Sequence, residues 1–229
     1  MQQLPLSLRW PAQQRFETFV PGDNGTALAL LRDIAAGGGD WTCLHGPVGA
    51  GKTHLALATC AAASALGRRA QYLSLRNTGA DAIRALGGSE LLTLDDVDAI
   101  AGNAAAEHAL FDLYNRCKVE NVTLLFAAAA APSHAGFGLP DLVSRLSSST
   151  QLPLRPLSEA QRREALRQRA QARGLLLDDA VLDWLFARAQ RDFGSLAALL
   201  DRIDRASLAA KRRVTVPFLR GLLERGEGE

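Results

Sequence analysis

The eight residues Gly46-Pro47-Val48-Gly49-Ala50-Gly51-Lys52-Thr53 constrain this chain more than any other stretch. They follow a short apolar run, WTCLH (41–45), and lead into an alanine- and leucine-rich segment from Lys52 to Leu66 that Gly67 ends. Strand, glycine-rich turn, helix is the context in which G-x-x-x-x-G-K-[ST] cradles phosphate. The glycines let main-chain N–H groups converge on a polyphosphate. The helix opening at Lys52 adds its positive dipole end. Lys52 is a point charge for the terminal phosphates, and Thr53 offers its hydroxyl to Mg²⁺. Lysine occurs elsewhere only at Lys118 and Lys211, arginine carrying nearly all the positive charge, so a lysine kept in this loop is informative.

A second element points the same way. LLTLDD (91–96) is a strand ending in Asp95 and Asp96. Beside a phosphate loop, Asp95 reads as an acid of the Mg²⁺ shell on a strand next to the loop, and Asp96 as an acid that orients an attacking water. Alone, the pair also fits a helix N-terminus. AQYLSL (70–75), NVTLLFAAAA (121–130) and QLPL (151–154) read as further strands. Residues 26–36 read as a helix, and Leu110, Leu113, Tyr114 and Cys117 form the apolar stripe of another. Strands alternating with helices predict an α/β fold with a parallel sheet covered on both faces.

After Pro156 only helices are expected. Ser158 with Gln161 is a capping box, Asp178 caps a second helix, a third runs from about Phe193 to Ala210, and Thr215 with Pro217 opens a fourth. Residues 1–24, with Pro5, Pro11 and Pro21, read as extended. The expected organisation is an extended segment at 1–24, a nucleotide-binding base at 25–156 and a small all-α lid at 157–229.

Composition narrows the setting. Of 229 residues, 48% are hydrophobic and 22% charged, with a net charge of +2, which is ordinary for a soluble globular protein and argues by itself for neither nucleic acid nor membrane. Cys43, Cys60 and Cys117 fit neither a disulfide framework nor a zinc site and read as buried, reduced thiols. No signal peptide is visible and the longest apolar run, Leu124 to Ala131, is too short to span a bilayer, so a cytoplasmic location without membrane contact is expected.

The two motifs, the all-helical tail and GLPDLVSRL (138–146) resemble the AAA+ domain of the bacterial replication initiator DnaA. QLPLSL (3–8) looks like the hexapeptide by which bacterial proteins dock on the DNA polymerase sliding clamp. Together with FVPGDN (19–24), ALFDLYNR (109–116) and DRASLAAKRRVTVPF (204–218), these make the whole chain similar to the Hda family, the regulatory inactivators of DnaA. The resemblance implies an AAA+ P-loop base with a helical lid, and ADP or ATP with Mg²⁺ held by the loop residues 46 to 53 and His54. Gly22 and Asn24 would lie near the base and ribose, and Thr53 and Asp95 at the metal. It implies clamp binding through Gln3, Leu4, Leu6 and Leu8, indirect contact with DNA through the clamp, and DnaA as partner. Homo-oligomerisation is compatible with it. Arg145 sits where the family places its arginine finger, which stabilises charge on phosphate bound by a neighbour, an effect worth roughly 10³–10⁵ in rate. A surface arginine, and a leader whose leucines cover the domain, are the plain alternatives for Arg145 and for residues 3–8.

Two positions depart from the pattern. The polar residue expected after the fourth strand falls at Ala129, and the arginine expected in the third lid helix falls at Gly194, with Arg191 nearby. Weak intrinsic hydrolysis is therefore expected. Competing readings are a helicase-loader-type ATPase on single-stranded DNA and a non-catalytic module using the fold as a scaffold. The lid arginines 162, 163, 167, 169 and 173 and the Lys211-Arg212-Arg213 cluster fit a solvated helical face or a DNA contact.

Overall fold

The computed structural model describes residues 10–11, 13–188, 193–210 and 214–226. The chain divides into two compact units, Met1–Pro156 and Leu157–Glu229. In the first, α1 (Gly25–Ala36), β1 (Thr42–His45), α2 (Lys52–Ala65), β2 (Ala70–Ser74), α3 (Ala80–Arg84), β3 (Leu91–Asp95), α4 (Ala104–Val119), β4 (Thr123–Ala128), α5 (Pro140–Ser147) and β5 (Thr150–Pro153) follow in order. The five strands form one parallel sheet in the order β2-β3-β4-β1-β5. Thr42 registers with Leu125 on one side and Thr150 on the other. The α/β fold with a parallel sheet is as the motif order predicts. β4 lies between β1 and β3. The loop after β1 reaches β3 only because α2 crosses the sheet and packs on β2, β3 and β4.

Strand alternation splits the core into two layers. Leu44, Leu91 and Leu125 face α1 and α2, where Leu31, Ile34 and Leu55 complete a cluster. Leu92, Leu94, Leu124 and Phe126 face α4 and α5, against Leu110, Leu113, Leu142 and Leu146. Every residue of β3 is buried, as a strand covered on both faces requires. Each fully buried leucine or phenylalanine here contributes roughly 1.5–3 kcal/mol. Cys43, Cys60 and Cys117 are buried and unpaired, and burial pushes the Cys43 thiol up to about 12.

Two helices went unread in the sequence. α3 is only five residues long, and α5 starts at Pro140, whose fixed φ suits a first helical position. The described part of the N-terminal segment also departs from a simple extended run: Phe16–Thr18 form a 3-10 turn, and Phe16 is buried.

The second unit holds α6 (Glu159–Gln171), α7 (Asp179–Arg188), α8 (Phe193–Ala210) and α9 (Val216–Gly226) around Leu166, Leu182, Leu185, Leu200, Ile203 and Leu219. The capping box is formed: the Ser158 hydroxyl accepts from the Gln161 N–H and the Gln161 side chain from the Ser158 N–H. Arg163 pairs with Asp183 and Arg167 with Asp179, each at 2.6 Å, and Arg173 pairs with Asp201. Arg163 and Arg167 tie α6 to α7, and Arg173, in the turn after α6, ties that turn to α8, which accounts for part of the lid's charge without nucleic acid. Lys211, Arg212 and Arg213 lie outside the described residues, as does Arg191. Among the described residues no helix is long and apolar enough to cross a membrane.

Candidate phosphate-binding site

The loop between β1 and α2 has the backbone its glycines allow. Gly51 sits in the left-handed region at φ 92, and a β-carbon there would lie 2.7 Å from Phe19 Cε2. At Gly46 a β-carbon would strike the main-chain oxygen of Leu154. Gly51 is the N-cap of α2, and the first bond of the helix runs from the Leu55 N–H to the Gly51 carbonyl at 2.9 Å. The N–H groups of Lys52 and Thr53 therefore open the helix ahead of its first bond, which is the arrangement an anion finds at a helix start. Lys52 folds over the same loop, its Nζ donating to Gly46 O at 2.6 Å and Pro47 O at 3.1 Å. Burial lowers its pKa, opposed by the charges of Asp95, Asp98 and Asp96. Val48, at the tip, is exposed.

Asp95 ends β3, and Asp96 follows it with different partners. Asp95 is 1% exposed, and its Oδ2 accepts from Thr53 Oγ1 at 2.7 Å and from Tyr72 OH at 2.9 Å. Its Oδ1 accepts the N–H of Asp96 at 2.9 Å. A hydroxyl and a carboxylate in contact are two hard oxygen donors, and Mg²⁺ takes few protein ligands and fills its shell with water and phosphate. Among the described residues no group of three or more His, Cys, Asp or Glu side chains could hold an ion without such help. Thr53 and Asp95 thus fit the part the sequence assigns them. Asp96 turns the other way, in the left-handed region at φ 53. Its carboxylate meets Arg76 at 2.8 Å and accepts from Ser74 Oγ at 2.9 Å. The Arg76 hydrogen bond holds its pKa low. Past the sheet, Asp98 Oδ1 accepts the N–H of Ala129 at 3.0 Å, fixing the residue that follows β4.

The segment before α1 packs along α2. His54 Nε2 is 2.9 Å from Arg15 O, and its ring lies 5.3 Å from that of Phe19. Asn24 is buried and its amide is engaged at both ends by the main chain of Arg155: Nδ2 donates to O at 2.8 Å, and Oδ1 accepts from N at 2.8 Å. Gly22, at φ 50, lies in the turn just before it. Gln3, Leu4, Leu6 and Leu8 lie outside the described residues.

Arg145 is elsewhere. It is exposed on α5, its guanidinium carbon 6.0 Å from the centroid of Tyr114, and it forms no ion pair among the described residues. Tyr114 touches Trp41, which precedes β1, and α5 runs directly into the start of β5. Both are at the edge where the parallel strands begin, whereas the phosphate loop follows their ends. The four residues of β1 put about 13 Å of strand between the edges, at roughly 3.3 Å per residue. Sequence reasoning missed Tyr72, Ser74, Arg76 and Asp98. Tyr72 and Ser74 lie on one face of β2 by strand alternation, and what they meet depends on β2 pairing with β3.

A model of the bacterial DnaA ATPase domain matches residues 11–154, and one of the Hda lid domain matches residues 159–223. The chain is a DnaA-like AAA+ protein of the Hda family. Solved structures share its fold. AMPPCP-bound DnaA from Aquifex aeolicus matches with TM-score 0.71 at 20% identity, over 85% of this chain and 66% of that one. Domain III of Thermotoga maritima DnaA matches with TM-score 0.76 at 19% identity, over 94% and 98%. The Thermotoga maritima RuvB Holliday junction branch migration motor matches with TM-score 0.65 at 20% identity, over 94% and 72%. This Hda-type chain thus spans about two thirds of the length of the Aquifex initiator (66%). Its AAA+ base and helical lid are those expected from the motifs.

Proposed function

We propose that this protein is a DnaA-related regulator of replication that activates ATP hydrolysis on its partner. In this reading it docks on the DNA-loaded sliding clamp through Gln3, Leu4, Leu6 and Leu8. It holds ADP or ATP through the loop amides and Lys52, with Thr53 and Asp95 turned to Mg²⁺, and offers Arg145 to the ATP bound by DnaA. DnaA then hydrolyses its ATP and initiation is switched off. Family membership supports the DnaA partnership, and AMPPCP in the Aquifex relative supports an adenine nucleotide.

The observation that carries the reading is the position of Arg145. A guanidinium on the edge opposite the chain's own phosphate loop cannot reach a phosphate held there, so its catalytic use is toward another molecule's nucleotide. Guanidinium suits that use because it is planar, permanently charged and bidentate. At the chain's own loop the parts for hydrolysis are poor. Ala129 has only a methyl group where a water-orienting polar group belongs, Gly194 has no side chain, and Asp96 is held by Arg76 and Ser74. Bound nucleotide then serves to order the base. Bound Mg²⁺ would neutralise charge on the phosphates. Lys52 and the helix-start amides orient the nucleotide, and Thr53 and Asp95 hold each other in place for the ion.

The test is turnover by ATP-loaded DnaA with clamp and DNA present. Arg145→Ala should cut the stimulation by roughly 10³-fold or more while clamp retention is unchanged. Full stimulation by the variant would remove Arg145 from the mechanism.

A further inference from the structure

The helix that carries Arg145 is held at both ends by one neighbour. At its start, the carboxylate of Glu107, in the first turn of α4, accepts the N–H groups of Gly138 at 3.0 Å and Leu139 at 2.7 Å, and that of Gly102 at 2.7 Å. Leu139 is the N-cap of α5 and position N3 is Leu142, so Glu107 supplies from another helix the acceptor for the N-cap N–H that a Glu or Gln at N3 gives in a capping box. Glu107 is 1% exposed. Burial alone would raise its pKa, but the three N–H donors outweigh burial and hold it below the usual carboxylate range. At the other end, Tyr114 lies under the Arg145 guanidinium. Its hydroxyl is 3.4 Å from Ser148 Oγ, which donates to Arg145 O at 2.7 Å. The Tyr114 ring is fixed in turn by Trp41, edge-on at 4.6 Å, and by Phe126, parallel at 6.5 Å. Glu107 and Tyr114 are seven residues apart, and so share one face of α4.

We propose that Glu107 and Tyr114 are positioning residues for Arg145: Glu107 sets the start of α5, and the Tyr114 face holds the guanidinium aimed outward until a partner's phosphate takes it. This rests on the reading of Arg145 as an arginine finger. An exposed cation–π contact is worth only about 0.5–1 kcal/mol, enough to orient a long side chain and weak enough to be exchanged for a phosphate. A carboxylate fits the other end because it accepts several N–H groups at once, and a buried charge held by them cannot swing without leaving them unpaired.

The experiment is the stimulation of ATP-loaded DnaA, with clamp and DNA, against rising concentrations of the full chain. Glu107→Gln and Tyr114→Leu should lower the plateau rate by roughly ten- to a hundredfold, the scale of a misplacement of about 1 Å, with the half-saturating concentration unchanged. Tyr114→Phe keeps the ring face and should keep the plateau. A purely structural role would reduce the folded fraction, moving half-saturation while sparing the plateau, and that result overturns the proposal. So does a Tyr114→Phe plateau as low as that of Tyr114→Leu. Amide exchange gives a readout apart from activity: in Glu107→Gln the Gly138 and Leu139 amides should exchange faster while those of Leu110 and Leu113 do not, and unchanged exchange at 138 and 139 overturns the proposal. Arg145→Ala separates the two levels. Full stimulation by that variant overturns the finger reading beneath. Loss with Arg145→Ala beside intact plateaus for Glu107→Gln and Tyr114→Leu overturns the positioning proposal alone.

Discussion

Among single side chains, Lys52 has the most conflicting surroundings. Burial disfavours its charge, three aspartates favour it, and its Nζ lies against two carbonyls of its own loop. A phosphate exchanges those carbonyls for full negative charge, and charge-assisted bonds are roughly twice as strong as neutral ones. Lys52→Ala should therefore weaken ATP or ADP binding by about a hundredfold, close to 2.7 kcal/mol, in a calorimetric titration. The overall stability should change little, because the lysine is only partly buried and its ammonium bonds two carbonyls of its own loop. Equal affinity for wild type and variant would mean that the loop does not hold phosphate. Asp95 is the contrasting case. It is buried and satisfied by Thr53, Tyr72 and its own neighbour's N–H, so its place is set before any ligand arrives.

Whole elements owe their placement to a few non-local ties. α2 lies where its N-terminus meets the end of β3, although β4 separates β1 from β3, and the Thr53–Asp95 bond marks that meeting. The N-terminal segment is fastened by the Asn24–Arg155 pair, which joins the start of α1 to the exit of β5. α5 is fastened by Glu107, and this tie has a pH signature. The folded pKa of Glu107 lies below its unfolded value, so its stabilisation is fully present above the unfolded value near pH 4.3 and is lost as pH falls through the folded one. Glu107→Gln should cost roughly 1.5–3 kcal/mol at pH 7 in urea unfolding, and the gap from wild type should shrink below about pH 4. A gap independent of pH would assign the cost to shape and not to charge.

The whole chain is two compact units, each with its own apolar cluster. A ligand that binds only the folded base stabilises by mass action, by about 2.7 kcal/mol at one hundred times the dissociation constant. Saturating ADP should raise the melting temperature, and in native-state exchange the amides of β1 and β3 should be protected by the same free energy. Absence of any shift would favour a fold used as a scaffold without nucleotide. The lid's charge belongs to this scale as well. Arg163, Arg167 and Arg173 look like a basic stripe when read along the chain, yet in the fold they face Asp183, Asp179 and Asp201 on other helices.

The strand-loop-helix around Lys52, all five strands and the four lid helices were legible in the residues alone, because each follows from local periodicity, capping or glycine conformation. α3 and α5 stayed unread, since one is too short to show a period and the other is hidden behind glycines and a proline. Tertiary structure alone decided the strand order, the turning of Asp96 toward Arg76, the tie of Asn24 to Arg155 and the hold of α4 on α5. Those depend on which strands and helices become neighbours, and a residue's own surroundings in the chain carry no record of the partner that folding brings to it.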